Sequence, residues 1–534
     1  MQPVQSKHAQ PAMTNRPHGG GVRGANLSRS SLLFGGPFGR IFRAVPPADF
    51  GPDDPTTIAN LTALATAMTS VADPQDPKDG PDSEEGGIPS AFTYFGQFID
   101  HDLTFDPSSS LQKQNDPDAL VDFRTPQFDL DNVYGRGPDD QPYMYTADGR
   151  SFVLGTPLTG APQVNAGAKD LQRNTQTPAR ALIGDPRNDE NVIVSQLQGL
   201  FHRFHNKMAA DNPSWSFQEV QQQVRLHYQW ILLHDFLPTV VSKDVLEQVL
   251  PLDRNKNPIV DKANLKFFHF RDSAFMPLEF SVAAYRFGHS MVRPGYRLND
   301  TVKPVPIFAF GPNAVDLRGF KAPQPNFALD WRRFIDLVPL DYGTLVDNPD
   351  QNDPKNQNRL QLAYKMDTSL VNPLGILPPS VAVNPSVLAQ RNLERGWRLR
   401  LPNGQDVARA MGVVPLTDDK ILIGKFTGDP ADIVTTIDNV GDGTSFVDNC
   451  PLWTYVLAET VESTVTVKTL QGDKPIKTRK LGPVGGRIVA ETFVGLLLAD
   501  SSSYASLNPL WEPTTLKVNG VFGLRELIKR ALEG

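Results

Sequence analysis

The 534-residue chain carries 52 basic and 59 acidic side chains, and its formal charge of −7 is too mild to point to nucleic acid or to a strongly charged substrate. Its single cysteine, Cys450, excludes an intrachain disulfide and a thiolate metal cluster. No stretch reaches the roughly 18 apolar residues of a membrane-spanning helix, and 47 prolines, about twice ordinary usage, imply stiff extended connections wrapped over a core.

Residues 1–45 are rich in Gly, Ser, Arg and Pro and are expected to form a flexible arm. Met1 to Arg40 hold no apolar run of the roughly 7 to 15 residues a signal peptide needs, Leu32-Leu33-Phe34 being too short and too late. A soluble protein is expected, cytoplasmic or exported without a recognisable leader. Thr56 to Val71 reads as a first helix, with Leu61, Leu64 and Met68 at helical spacing, and Asp73 to Gly87 as a polar loop.

The next stretch, GQFIDHDLTFD from Gly96 to Asp106, sets His101 between Asp100 and Asp102 in an otherwise apolar run. If it is helical after Pro89 and Ser90, Gln97 and His101 share a face at i and i+4. Asp100 and Asp102 then point about 100° to either side of the histidine, because each residue turns the helix by that much. Taken alone, a histidine between two carboxylates is an ordinary buried pair. Segments further along supply a partner for each of the three directions.

RTPQFDLDNVYG, from Arg124 to Gly135, offers the side-chain oxygens of Thr125, Asp129 and Asp131 within seven residues, and a backbone carbonyl such as that of Gln127 can join them. Hard cations of the calcium type want about six to eight oxygens, and Ca²⁺ tolerates so irregular a supply better than Mg²⁺. A surface series of Asx-turns is the plain alternative. The segment is no EF-hand, lacking the central Gly and terminal Glu, and Asp102 is the distant carboxylate that would complete the shell.

GDPRNDEN, from Gly184 to Asn191, brings Arg187 and Glu190 together at the start of a long helix, Val192 to Asp211, which a second helix, Phe217 to Val241, follows. Their histidines, His202, His205, His227 and His234, read as structural. A second unusual histidine, His289, lies in AAYRFGHSMVRP, with Arg286 one turn ahead and Pro294 ending the expected helix. Two histidines on apolar helices suit opposite faces of a planar cofactor. Zinc fits worse, for want of HExxH or Cys/His spacing. Asn392, in AQRNLERGWRLRLP, could accept a hydrogen bond from the other ring nitrogen of an axial histidine, and Arg395, one turn on, could pair with a carboxylate. Ser463 to Leu470, with a turn at Gly472-Asp473, reads as a β-hairpin.

Together and in this order, these motifs resemble the peroxidase-cyclooxygenase superfamily, the animal-type haem peroxidases of the myeloperoxidase and peroxinectin kind, most closely its bacterial branch. The resemblance runs from about Phe34 to Asp500. It implies a mainly α-helical fold with a buried haem, few short strands and a small β-hairpin at about 461–480, all within a single catalytic domain over 46–534. On the family pattern, His101, Gln97 and Arg187 fall on the distal catalytic histidine, glutamine and arginine. Asp100 and Glu190 fall on the carboxylates that ester-link the haem, and His289 on the proximal iron ligand. Asn392 falls on that ligand's partner, and Arg286 and Arg395 on the propionate-binding arginines. Asp102, Thr125, Gln127, Asp129 and Asp131 fall on the Ca²⁺ positions. Asn191 stands near a methionine that bonds the haem in some members, so that third link is expected to be absent.

The resemblance further implies an enzyme that reduces hydrogen peroxide via Compound I and oxidises small aromatic or phenolic donors, with bromide and iodide as candidate halides. Neither nucleic acid nor a membrane span is expected among its partners. Two alternatives stand beside it. A fatty-acid dioxygenase would need a radical tyrosine three residues before the proximal histidine, where this chain has Arg286, with Tyr285 one residue further off. A peroxinectin-like adhesion protein would have no use for His101, Arg187 and Gln97 together.

Overall fold

Helix makes up about 39% of the described residues and strand 15%, and every sheet among them is a two-stranded ribbon, so the expected mainly α architecture is the one formed. The computed structural model describes residues 38–69, 77–104, 124, 126–253, 258–270, 274–311, 314–344, 352–425 and 432–533. Of the arm expected over residues 1–45, the first 37 and the expected calcium ligand Thr125 lie outside these. The remainder of that arm contributes a short strand, Phe38–Gly39, paired in parallel with Met276–Pro277, and a buried Phe42.

The first helix spans Asp54–Ala67, beginning two residues ahead of the expected start. Asp53 caps it by accepting from the Thr56 N–H, and Pro55 fits the first turn, where no N–H is needed. Leu61, Leu64 and Met68 are fully buried, as their spacing predicts. The helix Ala91–Leu103 starts after Ser90, where the strand Glu85–Pro89 ends, and that strand pairs antiparallel with Leu362–Tyr364. Its underside is aromatic. Phe98 stacks on Phe201 with ring centroids 4.5 Å apart, and Tyr228 meets Phe98 edge-on at 6.3 Å. Such pairs contribute about 0.5–1.5 kcal/mol each beyond their burial, so the apolar side of the His101 helix is held firmly against its neighbours.

Those neighbours are the two long helices. Val192–Asp211 is capped by the Asn191 side chain, which accepts from the Ile193 and Val194 N–H groups. Phe217–Ile231 opens on a Ser216/Glu219 capping box and continues through a wide turn, Leu232–Phe236, into Leu237–Val240. The wide turn sits just ahead of Pro238, whose ring offers no N–H to the preceding turn.

The His289 segment differs from expectation. A wide turn, Glu279–Ala283, passes into tight 3₁₀ turns, Ala284–His289, and the helix stops there, five residues short of Pro294. Ala283, at φ −127° and ψ −76°, leaves helical geometry and breaks the regular ladder. The helix Leu388–Arg398 carries Asn392 and Arg395. The hairpin forms as Val461–Thr469 against Gly472–Lys480. Among the described residues no helix is long and apolar enough to cross a membrane.

Candidate active site

Gln97, Asp100 and His101 line one wall of a cavity of about 650 Å³, and Arg286 and His289 line it too. Its remaining surface is largely apolar, with Phe92, Tyr285, Phe287, Ile307, Phe308 and Leu317 contributing. The cavity brings together the two histidines, 188 residues apart in the chain, that the sequence singles out.

His101 is buried, and its Nδ1 lies 2.7 Å from the Asn188 side-chain oxygen. Asn188 in turn donates its amide to Gln198 Oε1 at 2.8 Å, so its oxygen faces the histidine as an acceptor. The proton of the neutral ring therefore sits on Nδ1, and Nε2 is left bare, 3.7 Å from the Glu190 carboxylate. Burial, then the Arg187 charge, lowers the His101 pKa to about 3, so the ring is neutral at physiological pH.

Two half-buried carboxyl groups flank this ring. Burial pushes Glu190 up to about 7 against the pull of Arg187. Its Oε1 accepts from the Gln97 amide, which is itself oriented by Asn191 at 3.1 Å. Burial also raises Asp100, opposed by Arg187 and Arg286, and its Oδ1 accepts from the Thr104 hydroxyl at 3.2 Å.

Arg187, expected inside the cavity, is not among the residues lining it. Its guanidinium binds Asp185 at 2.8 Å and donates to the His101 and Thr104 carbonyls at 3.1 and 2.6 Å. Those carbonyls belong to the last turn of the helix, which has no intrahelical donors for them. The arginine thus fastens the helix end that carries His101. Burial works against charge on Asp185, but Arg187 and Arg124 hold its carboxyl well below the usual range.

On the other side of the helix, Asp102, Asp129 and Asp131 place carboxylate oxygens within 4.8 Å of one another. Asp102 is fully buried; Leu130 N–H and the Tyr228 hydroxyl approach it without reaching hydrogen-bond geometry. Burial and then its two neighbours raise the Asp102 pKa well above normal, while burial and Asp131 push Asp129 up to about 7. Two cations face these three carboxyl groups: Arg124, 2.7 Å from Asp131 and 2.5 Å from Asp185, and Arg225, whose charge bears on Asp129. Such a cluster fits a hard divalent cation. Gln127 is half-buried in the same loop.

His289 lies 2.8 Å from the Asn392 amide nitrogen. Asn392 was expected to offer its oxygen there, but that oxygen accepts from Arg286 Nη1 at 3.1 Å. In this arrangement Nδ1 accepts and Nε2 carries the proton; presenting a bare Nε2 to a metal requires a half-turn of the amide. Burial and then Arg286 lower His289 to about 3. Arg286 itself is lowered to about 10, first by burial and next by Arg395, so an anion placed against this pair would relieve their repulsion.

The residues fit a haem: two histidines on one apolar cavity, one with a bare nitrogen, half-buried carboxyls at its side and neighbouring arginines. Asn188, Gln198, Asp185 and Arg124 were missed in the sequence. Asn188 and Asp185 lie inside the quoted GDPRNDEN run, so position was visible there and direction was not.

An animal haem peroxidase family model matches residues 111–319. Human thyroid peroxidase is 28% identical over 331 residues, 58% of this chain and 30% of that protein. The chain spans less than a third of the length of the curated relatives it matches first. Among solved structures, peroxidase A from Dictyostelium discoideum shares the fold with a TM-score of 0.55 at 15% identity, covering 94% of both chains. The fatty acid alpha-dioxygenase of Oryza sativa gives a TM-score of 0.54 at 14% identity, covering 89% of this chain and 78% of that one.

Proposed function

We propose that this chain, matched over residues 111–319 by the animal haem peroxidase family model, is a peroxidase holding haem in the His101–His289 cavity, reducing hydrogen peroxide and oxidising small aromatic donors. The observation that carries this reading is the neutral His101, whose Nδ1 is tied to Asn188 and whose bare Nε2 stands at the same cavity as His289.

In this reading His289 would hold the iron, Asp100 and Glu190 would join the haem edge as esters, and Arg286 and Arg395 would meet its carboxylates. When bound, the haem supplies the electrons that split the peroxide and recovers them from donors. The balance is one H₂O₂ and two phenols giving two waters and two phenoxyl radicals. His101 Nε2 takes the proton from one peroxide oxygen and returns it to the other, which leaves as water. Positioned proton transfer of this kind contributes about 10²- to 10⁴-fold. Gln97 sets the Glu190 carboxyl, and Arg187 acts through the helix end as a positioning residue. A calcium-type cation on Asp102, Asp129 and Asp131, with Thr125 and Gln127 contributing, would pin the same helix from its other side. Bromide and iodide are the halides to test as donors.

The test is the absorption spectrum of haem-loaded protein before and within milliseconds of one equivalent of peroxide. A high-spin ferric spectrum that changes with peroxide and returns on adding a phenol supports the reading. A six-coordinate spectrum inert to peroxide overturns it.

One observation favours a second reading. Tyr285 lines the cavity and donates its hydroxyl to the Gly96 carbonyl at 3.2 Å, which gives a dioxygenase a tyrosine within the site. Oxygen uptake with a fatty acid, lost in Tyr285→Phe while phenol oxidation persists, would select that reading.

A further inference from the structure

The open end of the cavity is built by three segments far apart in sequence: Pro178 and Arg180, Arg318 to Lys321, and Ser380. Among the described residues lining the cavity, carboxylates are confined to Asp100 and Glu190, beside His101. The rim is cationic. Arg318 is neutralised by Asp316, its Nε 2.6 Å from the carboxylate. Arg180 and Lys321 have no such partner among the described residues, and the Arg180 Nη1 is buried without a hydrogen bond. The Arg180 guanidinium lies over the Phe320 ring, 5.3 Å from its centroid.

Phe320 occupies the left-handed region at φ 54°, a conformation unfavourable for a bulky residue. Its backbone is strapped in place. The Phe320 N–H donates to the Asp189 carbonyl at 2.5 Å and the Gly319 N–H to the Glu190 carbonyl at 2.9 Å. A Cβ on Gly319 would stand 1.9 Å from the Asp189 oxygen, so only glycine permits this approach. The strap holds the aromatic ring under Arg180 and next in the chain to Lys321, against the segment that carries Glu190.

We propose that this rim selects electron donors that are aromatic carboxylates, the carboxylate pairing with Arg180 and Lys321 while the ring packs on Phe320. A planar guanidinium matches a carboxylate and also stacks on an aromatic face. A cationic donor meets repulsion at the same place. The proposal rests on the peroxidase reading for its choice of donors, but the anion site itself does not need turnover.

The experiment compares hydroxyphenylpropionate, ethylphenol and tyramine, para-substituted phenols that differ in the charge of the tail, as donors for the haem-loaded protein. The KM for hydroxyphenylpropionate is expected to lie about tenfold below that for tyramine at low salt, the gap narrowing as salt is added. The double variant Arg180→Gln, Lys321→Gln should raise KM for hydroxyphenylpropionate about tenfold, with a far smaller effect on ethylphenol. Equal kcat/KM for the three donors, or an equal rise for all three in the variant, overturns the proposal. Benzoate binding, followed by saturation-transfer NMR, separates the two claims. If no phenol is oxidised but benzoate binds saturably and the variant loses it, the peroxidase reading fails and the anion site stands. If the wild-type protein does not bind benzoate, the anion site fails.

Discussion

Asn188 holds His101 in one tautomer: its amide oxygen lies 2.7 Å from the ring Nδ1, and its own nitrogen is occupied by Gln198 at 2.8 Å. Both amides are fully buried, so neither has water as a substitute partner. Replacing Asn188 by Ala should slow the reaction with peroxide by about 10- to 100-fold, the usual penalty for removing the partner of a functional histidine. Asn188→Asp should raise the pKa of His101 from its low value, because a carboxylate favours the charged ring, and the rate should then fall away at a higher pH on the acid side. Stopped-flow rates across pH check both. Unchanged rates and an unchanged profile would sink the role.

The three-aspartate cluster predicts a cation-dependent stability. Calcium at about a hundred times its dissociation constant should stabilise the fold by about 2.7 kcal/mol, and Asp102→Asn should remove that increment. Because Asp102 and Asp129 hold protons more tightly than usual, Asp129 up to about 7, binding should release protons and strengthen from pH 6 to 8. Urea midpoints with calcium and with a chelator decide it; identical midpoints would refute the site.

Glu459 is a buried acid whose Oε1 accepts from the Val484 and Gly485 N–H groups at 2.8 and 2.7 Å. Those bonds favour the charged form, yet burial outweighs them and pushes the group up to about 8. The folded state thus retains a proton that the unfolded chain releases near pH 4.5. The stability this supplies is complete below about 4.5 and is lost as pH rises toward 8. Glu459→Gln keeps both hydrogen bonds through its oxygen and cannot ionise, so its stability should fall less steeply, by about 1.4 kcal/mol per pH unit in that window. Parallel slopes in denaturation at pH 5 and 8 would contradict this.

Gly319→Ala should destabilise the protein by about 1–3 kcal/mol, since the new Cβ has to displace the Asp189 carbonyl 1.9 Å away. Urea denaturation measures it, and a neutral outcome would show that the strap yields.

Much of this site is readable from periodicity. Gln97 and His101 share a cavity wall because i and i+4 share a helix face, and Asp102 reaches the aspartate cluster because it points away from that face. Directions inside the tight turn Pro186–Asp189 are not readable in that way. Side chains there fan out by about 120° per residue, so whether Arg187 or Asn188 meets His101 depends on how the turn docks. The structure turns Asn188 to the ring and Arg187 to the helix end. Asn392 shows a second limit. Its position follows from helix spacing, but which end of its amide faces His289 is decided by Arg286, 106 residues away. Arg180 and Lys321 give no signal of their own, because the rim exists only once three remote segments meet.

The bonds from Gly319 and Phe320 to the carbonyls of Glu190 and Asp189 join the doorway and the chemical centre into one piece of backbone. An engineer who widens the doorway to admit bulkier donors will therefore retune Glu190 in the same stroke, and libraries aimed at donor range should vary Arg180 and Lys321 while leaving the Gly319–Phe320 peptide untouched.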